Sequence, residues 1–336
     1  MDIVFIKTEG PTHLQQSGLA MPQHKRWYIS LLIVLFLLTP AKRLWAQLGA
    51  TSLNGPGIAV SVDYLPASHY IRPEDSVKTK STTSQQRYNF GASFLLSNKV
   101  DTATGKVRNW TLAASGSYTK LTNENYDHQI FPSELLGTQL ALQHYRSLHN
   151  RWSMVGLLSV GLFTDMEKID GEDIFVNGGV LFVKQHNRRF SYGIGAMFTN
   201  SFGTPMLLPA FFIRWQTDNK FRIDINFPEK ISVASSLSKQ TDLALAFRLR
   251  GSAYDVEKHP DNKRLMGYSE MSLGLENTWH LNKHLDFVAA GGSILYSGAT
   301  FQEKKLSEMF GEKPLHRFAT NYFFSTGLRW NFQPKH

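Results

Sequence analysis

Residues 110–119 read WTLAASGSYT, a run in which two alternating faces can be distinguished. Trp110, Leu112 and Tyr118 fall on one face of an extended strand, and Thr111 and Ser115 fall on the other. Trp110 and Tyr118 lie about 26 Å apart along a strand that rises roughly 3.3 Å per residue. With a tilt of about 40°, the two rings stand roughly 20 Å apart along a bilayer normal, close to the height of the apolar band. The stretch therefore predicts a β-strand that crosses a membrane with an aromatic side chain near each interface.

Further segments repeat this alternation and place charged residues on the second face. Their apolar positions are Tyr88, Phe90, Ala92 and Phe94, then Phe211, Ile213 and Trp215, then Phe221, Ile223, Ile225 and Phe227, and finally Leu243, Leu245, Phe247 and Leu249. A charged side chain that faces lipid at the bilayer midplane costs about 2–4 kcal/mol. The charged faces must therefore line a lumen, and the strands must close without a free edge.

The chain contains fourteen candidate strands. They begin near Gly57, Arg87, Trp110, Thr138, Trp152, Ile174, Phe190, Leu207, Lys220, Lys230, Thr241, Leu265, His284 and Tyr322. The predicted fold class is all-β, a transmembrane antiparallel up-and-down β-barrel of about 14 strands, or 12 if weak strands such as the first lie outside the wall. A soluble β-sandwich would share the period of two, but it would not need aromatic residues at both ends of its strands.

The connections between these strands alternate between long and short, as expected if one end of the barrel is extracellular. Long connections run over residues 66–86, 122–136, 252–263 and 298–317, and short ones over 148–150, 185–188, 217–219 and 281–283. Two connections fit poorly. Residues 97–109 form a long stretch where a short turn is expected, and Pro228-Glu229 is short where an external loop is expected.

The N-terminal region has the pattern of an export signal. Lys25 and Arg26 precede an apolar run over residues 27–38, and a small-residue site ends at Ala46. The apolar run is too short to span a bilayer, so we predict a signal peptide that is cleaved after Ala46, with an uncleaved anchor as the alternative. Residues 1–46 are therefore an upstream extension and signal peptide, and residues 47–336 are the predicted barrel.

Composition restricts the possible functions. The chain of 336 residues has no cysteine, which removes disulfides, thiol catalysis and cysteine-bound zinc. Its formal net charge of +9 would suggest nucleic acid in a cytosolic protein, but the export signal argues against that partner. No helical run of 18 or more apolar residues follows the signal, so a helical membrane protein is not expected.

The last predicted strand carries a C-terminal pattern of its own. Gly327, Trp330 and Phe332 stand in the order polar-x-Gly-x-x-aromatic-x-aromatic. This pattern resembles the signal by which outer-membrane β-barrels are recognised for assembly. It implies export to the outer membrane and, as partners, outer-membrane lipid and the barrel assembly machinery.

The stretch from Leu207 to Val233 resembles a block in a family of uncharacterised outer-membrane barrels of the Bacteroidota type. It comprises one strand with Pro209 inside it, a second strand, the dipeptide Pro228-Glu229 and the start of a third strand. Related blocks occur in other barrel families, including some associated with uptake of hydrophobic aromatics. The resemblance implies the barrel fold and no assigned activity, so no functional residue follows from it.

Nine charged residues are candidates for lining the lumen, because each alternates with apolar neighbours. They are Arg214, Arg222, Asp224, Asp242, Arg248, Arg250, Glu270, Glu276 and Arg329. One interpretation is a constriction that selects solutes by charge. The other, which the nearly balanced signs favour, is a network of ion pairs that fills a narrow barrel.

Other potential sites give weaker signals. The acidic loop of residues 165–173 lacks the ligand spacing of an EF-hand, so a solvated loop is expected rather than a calcium site. Residues 303–310 have the apolar spacing of a short amphipathic helix at the rim. His280 and His284, like the other histidines at strand ends, are interpreted as membrane-interface residues.

The sequence contains no nucleophile elbow, HExxH motif or phosphate-binding loop, so neither an enzyme nor a cofactor or metal is predicted. The functional prediction is a monomeric outer-membrane barrel that serves as a narrow passive channel for a small solute, or as a structural protein of the envelope. The alternative is a barrel that transports nothing and supports another envelope complex. A lipid hydrolase ranks below both.

Overall fold

The computed structural model describes residues 55–199, 205–217, 221–257, 259, 263–303 and 313–333. The predicted signal peptide and its cleavage site lie outside these residues, as do residues 304–310 of the predicted rim helix. Within the described part of the chain, no helix is both long enough and apolar enough to cross a membrane.

Fifteen β-segments make up the fold, with one short 3₁₀ turn at Gly171–Asp173. The segments are β1 (Gly57–Ile71), β2 (Lys78–Asp101), β3 (Lys106–Glu124), β4 (Glu134–Ser147), β5 (Trp152–Thr164), β6 (Ile174–Gln185), β7 (Phe190–Thr199), β8 (Met206–Gln216), β9 (Phe221–Phe227), β10 (Lys230–Ser236), β11 (Thr241–Asp255), β12 (Leu265–His280), β13 (Leu285–Gln302), β14 (Leu315–Phe318) and β15 (Asn321–Asn331).

The segments form a closed antiparallel barrel with fourteen positions in its wall. Each strand from β1 to β13 pairs with the next along the chain, and β13 pairs with both β14 and β15. The ring closes where Gly57 to Tyr64 of β1 pair with β15, while Tyr70 and Ile71 pair with β14. Because β14 and β15 follow one another along the same line, they share one wall position. The predicted barrel of about 14 strands is therefore confirmed.

The outer surface is an apolar belt edged by aromatic side chains. Near one end Trp110, Trp215 and Trp330 are exposed, and near the other end Tyr88 and Tyr322 are exposed. A soluble protein would bury such residues, whereas a barrel in a bilayer turns them to lipid. The outward-facing side chains therefore define a membrane-spanning band, and the polar alternate residues face the interior.

The two ends of the barrel differ in their connections. At one end the six connections between strands span four residues each, and such short connections are typical of the periplasmic side. The expectation of a long connection over residues 97–109 was wrong, because β2 and β3 continue there as a paired hairpin. The connection between them is a turn at residues 102–105. We call this end of the barrel the turn end.

At the opposite end, the loop end, several strands continue beyond their expected limits. The predicted loop over residues 66–86 is mostly strand, since β1 runs to Ile71 and β2 starts at Lys78. Polar residues cover both faces there, so the alternation that marks a membrane strand is lost above the membrane. β5 and β11 also meet at this end, where Thr164 pairs with Asp255 in parallel.

Candidate functional site

The structure places the nine candidate lumen residues on the inner face of the wall. They form separate groups rather than one continuous ring, and residues outside the nine candidates complete three of these groups. Those additional residues are Asp63, Arg87 and Tyr268 in the first group, Lys230 in the second, and His280, Asp286 and Asn331 in the group at the turn end.

A balanced group of two acids and two bases lies towards the loop end. Arg250 Nη1 is 3.2 Å from Asp63 Oδ2 and 3.9 Å from Glu270 Oε1. Arg87 is 3.2 Å from Glu270 and 3.7 Å from Asp63. The Tyr268 hydroxyl donates to Glu270 at 2.9 Å. Because each charge has an opposite partner, this group crosslinks β1, β2, β11 and β12 and leaves no excess charge.

A second group, around Glu276, has unbalanced charge. Glu276 accepts from Lys230 at 3.5 Å and forms an ion pair with Arg248, and Arg329 adds a third positive charge that acts on it. Three bases thus surround one carboxylate. Within the described part of the chain, the buried Nε of Arg329 has no hydrogen-bond partner. We call these four residues the cationic group.

A third group lies between β8 and β9. Arg214 Nε donates to Asp224 at 2.9 Å, and Arg222 Nε donates to the other oxygen of the same carboxylate at 2.7 Å. The guanidinium of Arg214 also lies 5.4 Å from the centre of the Phe212 ring. These three residues carry one excess positive charge, so this group is cationic, as is the group around Glu276.

Asp242 belongs to a small acidic group at the turn end. His280 Nε2 lies 3.4 Å from Asp242, and its Nδ1 lies 2.7 Å from Asp286, which is fully buried. Asn331 donates to the second oxygen of Asp286 at 3.1 Å. The interpretation of His280 as a membrane-interface residue was therefore wrong, because its ring is directed towards carboxylates on the inner face.

The balanced group and the cationic group border two neighbouring spaces in the lumen. A space of about 820 Å³ is lined by Arg248, Glu276 and Arg329 of the cationic group together with Arg87 and Arg250. A second space of about 790 Å³ shares those two arginines and extends towards the loop end. The charged residues of these two groups therefore face open space in the lumen rather than a close-packed core.

An apolar cluster closes the loop end of the arc formed by β1–β5 and β11–β14. Its central residue is Phe131, which the loop of residues 125–133 carries inwards and which is 1% exposed. Phe131 packs 4.9 Å from Phe318 and 6.0 Å from Phe301, measured between ring centres. We call this cluster the stopper, and no motif in the sequence indicated it.

The residues of the predicted assembly signal lie at the seam between the two ends of the chain. Trp330 and Phe332 point outwards and are exposed, and the Phe332 ring lies 5.6 Å from that of Phe94 on β2. Gly327 faces inwards, where a Cβ atom would stand 2.6 Å from the carbonyl oxygen of Val60. The close approach of β1 therefore requires glycine at this position.

The acidic loop of residues 165–173 packs against the loop end of β11. Arg264 lies 2.9 Å from the buried carboxylate of Asp255 and 3.3 Å from Glu172, and it also forms an ion pair with Glu257. A hydrogen bond from Lys168 holds the pKa of Asp170 below its usual range. Arg264 and Lys168 thus neutralise part of the negative charge of this loop. The sequence analysis had expected a loop surrounded only by solvent.

The missed lumen residues were visible in the alternation of the sequence. Asp63 lies between the outward Val62 and Tyr64, and Arg87 precedes the outward Tyr88. Their importance depends on partners on distant strands, which a single strand pattern cannot identify.

Comparison with known proteins gives a family for most of the chain. The model of a family described as a domain of unknown function (DUF6268) matches residues 43–331. A search of curated proteins gives no match.

Several solved structures share a related fold at low sequence identity. A KdgM porin in complex with disordered oligogalacturonate is 7% identical, with a TM-score of 0.35, and the alignment covers 81% of this chain and 99% of the porin. An outer-membrane channel from Pseudomonas putida F1 is 7% identical, with a TM-score of 0.40 and coverage of 82% and 95%. A Pseudomonas aeruginosa FadL homologue is 9% identical, with a TM-score of 0.30 and coverage of 83% and 91%. Likeness at this level bears on no residue and on no solute.

Proposed function

This chain belongs to the DUF6268 family, and we propose that it is a narrow passive channel of the outer membrane that favours small anionic solutes. The observation that carries the proposal is the cationic group, in which Lys230, Arg248 and Arg329 surround the single carboxylate of Glu276. Arg248, Arg329 and Glu276 border a lumen space of about 820 Å³. An excess of two positive charges at a constriction lowers the barrier for anions and raises it for cations.

The mechanism is diffusion and needs no chemical step. A solute anion loses part of its water on entering the constriction, and the guanidinium and ammonium groups replace the lost hydrogen bonds. We propose no enzymatic activity for this arrangement.

The location and assembly of the protein follow from the same proposal. We propose that the signal peptide is cleaved after Ala46 and that the assembly machinery inserts a monomer into the outer membrane, with Gly327, Trp330 and Phe332 as its recognition signal. N-terminal sequencing of the protein from isolated outer membranes tests the cleavage site. A product that begins upstream of Gln47 would contradict it.

Single-channel conductance in planar bilayers tests the proposed function. The folded protein, verified by heat-modifiable gel migration, is expected to give steady steps with a higher permeability to chloride than to potassium. Arg248→Ala and Arg329→Ala should each lower that permeability ratio by a factor of two or more, because each removes one of three cations. Arg72→Ala is the matched control, since Arg72 pairs with Asp75 in an exposed loop outside the lumen.

The second candidate is a barrel that transports nothing and supports another envelope complex. The stopper around Phe131 is fully buried and favours this second candidate, because the cluster closes part of the lumen at the loop end. A correctly folded barrel that stays silent at all voltages would reject the channel and support this alternative.

A further inference from the structure

The acidic loop of residues 165–173 brings carboxylates together at the loop end of the barrel. Asp170 and Asp173 lie at the end of this loop, where the short 3₁₀ turn precedes β6, and Asp255 is the last residue of β11. A carboxylate oxygen from each of these three residues lies within 4.8 Å of the other two. Asp173 and Asp255 are buried, with exposed fractions of 0% and 1%. We call these three residues the carboxylate cluster.

Hydrogen bonds hold the loop against the end of β11. The Asp165 amide donates to the Asp255 carbonyl at 3.0 Å, and the Glu257 amide donates to the Asp165 carboxylate at 2.8 Å. Within the loop, the Asp170 amide donates to Asp173 Oδ2 at 2.7 Å. The carboxylates therefore cannot move apart to relieve their mutual repulsion unless these bonds break.

Asp173 is the member of the carboxylate cluster that lacks a compensating charge. Within the described part of the chain, its buried Oδ1 atom has no hydrogen-bond partner, and no base forms an ion pair with its carboxylate. A buried carboxylate in this state is strongly disfavoured, because it has lost its hydration without gaining a partner. Such an atom points to an ion or an ordered water, and only a cation would balance three adjacent carboxylates.

The two bases that contact the carboxylate cluster serve several carboxylates at once. Arg264 Nη2 lies 2.9 Å from Asp255 Oδ2 and 4.0 Å from Asp170 Oδ2. The same guanidinium forms ion pairs with two glutamates outside the cluster. Lys168 lies 2.9 Å from Asp170 Oδ2. These two bases are thus outnumbered by the carboxylates that they contact, and negative charge remains in excess around Asp173.

The ligand chemistry of the carboxylate cluster matches calcium. Oxygen atoms bound to one Ca²⁺ at about 2.3–2.6 Å stand at most about 5 Å apart, so the three oxygens are close enough to share one ion. Carboxylates suit hard cations rather than zinc or copper. Mg²⁺ sheds its water reluctantly and usually keeps several water ligands, whereas two of these three carboxylates are shielded from solvent. Burial therefore favours Ca²⁺ over Mg²⁺.

We propose that Asp170, Asp173 and Asp255 bind a calcium ion from the external medium and that this ion fastens the acidic loop to β11. The loop lacks the spacing of an EF-hand because one ligand comes from a distant strand, so spacing within the loop could not indicate the site. The inference goes beyond the proposed channel and does not depend on it, since no member of the cationic group takes part.

A bound ion would also stabilise the stopper. Asp255 stands between Tyr254 and Val256, and both of these neighbours belong to the stopper. On β5, the Phe163 ring lies 6.1 Å from that of Tyr254, and Thr164 pairs with Asp255. An ion that holds Asp255 in place therefore restrains the adjoining part of the stopper.

Calorimetric titration with calcium chloride tests the site on the folded barrel, in detergent micelles free of lipopolysaccharide. One ion is expected to bind with a dissociation constant of about 0.1–1 mM, the range of extracellular calcium modules. Calcium should raise the temperature of unfolding in heat-modifiable gels by a few degrees relative to a chelator, and magnesium at the same concentration should not. Absence of binding would overturn the proposal, and an equal effect of magnesium would overturn the assignment to calcium.

Asp173→Asn tests whether the carboxylate cluster holds the ion. The substitution keeps the shape of the side chain and removes its charge, so it should weaken calcium binding at least tenfold and abolish the shift in unfolding temperature. Asp127→Asn makes the same change at an exposed position of another loop at this end and should bind calcium as the parent does. Asp170→Asn takes the place of Asp173→Asn if that variant does not fold. Parental affinity in the folded variant would overturn the proposal.

Arg264→Gln distinguishes a calcium site from a cluster that Arg264 itself neutralises. Loss of the neighbouring positive charge should strengthen calcium binding severalfold, because the ion then meets less repulsion. Calcium should also restore much of the stability that the variant loses in a chelator. A variant that is equally destabilised in calcium and in chelator would show that Arg264 is the cation of the cluster and would overturn the proposal.

Discussion

Two arcs of the barrel wall, built from the same kind of strand, end in opposite ways. The long arc, β1–β5 with β11–β13, has strands of 13–24 residues, and its loop end is filled by the stopper. The short arc, β8–β10, has strands of 7–11 residues, and the hairpin of β9 and β10 ends at Pro228-Glu229 without reaching the stopper. Strand length therefore decides which part of the wall carries the stopper.

The difference also divides the interior by chemistry. Beneath the stopper, Asp63, Arg87, Arg250 and Glu270 cancel one another. Next to the short arc, the cationic group keeps an excess of positive charge. A sealed region benefits from neutrality, because an unpaired buried charge is costly. Under the proposed function, an anionic solute neutralises the excess charge of the cationic group.

The largest expected effect comes from removing the central ring of the stopper. Phe131→Ala deletes a fully buried ring, and such truncations cost about 3–5 kcal/mol. We expect the variant to unfold at a markedly lower temperature, as seen by its migration in heat-modifiable gels. We also expect the conductance of the barrels that remain folded to rise. Phe324→Ala removes the same atoms from an exposed outward position and serves as the control. Unchanged thermal conversion would mean that the stopper does not stabilise the long arc.

Neutralising Glu276, the carboxylate of the cationic group, is expected to have a smaller effect on stability. Glu276→Gln leaves Lys230, Arg248 and Arg329 without their acid, which should cost about 2 kcal/mol, because the groups are only partly screened by solvent. The preference for chloride over potassium should increase, which reversal potentials in a salt gradient would measure. Asp75→Asn changes the same charge in an exposed loop and should leave the ratio unaltered. A lower preference for chloride would contradict the assigned role.

The part of β8 that extends beyond β9 offers a still smaller effect on stability. Pro209→Ala adds an N–H group that points away from β7 and has no strand partner on that side among the described residues, and it also loosens the unfolded chain, so a loss of about 1 kcal/mol is expected. Urea unfolding of the barrel in detergent micelles would measure it. A gain in stability would indicate that the new amide finds a partner and that the edge is covered.

The smallest effect concerns the loop that carries the stopper. Burial raises the pKa of Tyr126, in the loop of residues 125–133, to about 12. The folded loop therefore favours the neutral phenol, and this contribution is present below about pH 10 and is lost as the pH rises towards 12. Proteolysis of the loop should accelerate over that range. Tyr126→Phe cannot titrate and should weaken the pH dependence, and acceleration that begins at neutral pH would reject the explanation.

Much of the wall was predictable, because alternation is strongest where one face meets lipid. The predicted starts of β5, β6, β7 and β10 at Trp152, Ile174, Phe190 and Lys230 agree with the structure. The starts of β2 and β4 were wrong by nine and four residues, since the loop end of β2 has polar residues on both faces and that of β4 has apolar residues on both faces, at Leu135 and Leu136. Local pattern cannot find a strand whose two faces are alike.

The interior was less predictable than the wall. The nine charged candidates follow from alternation alone, but their grouping depends on which distant strands face each other, as in the contact between Arg250 and Asp63. The stopper depends on how one loop folds inwards, which no periodicity records. The low hairpin of β9 and β10 was indicated only by Pro228-Glu229, which is too short for an external loop.

The pairing of β1 with β15 has a consequence for the order in which the strands could be connected. Gly57 pairs with Asn331, and the Phe332 amide donates to the Pro56 carbonyl at 3.0 Å. The beginning and end of the wall therefore meet at the turn end, within reach of a linker as short as the other turns there. If such a linker joined the two ends and the chain were opened at an external loop, the strands would form the same ring as a circular permutant. The position of the chain ends is then a property of biosynthesis and export rather than of the barrel that they complete.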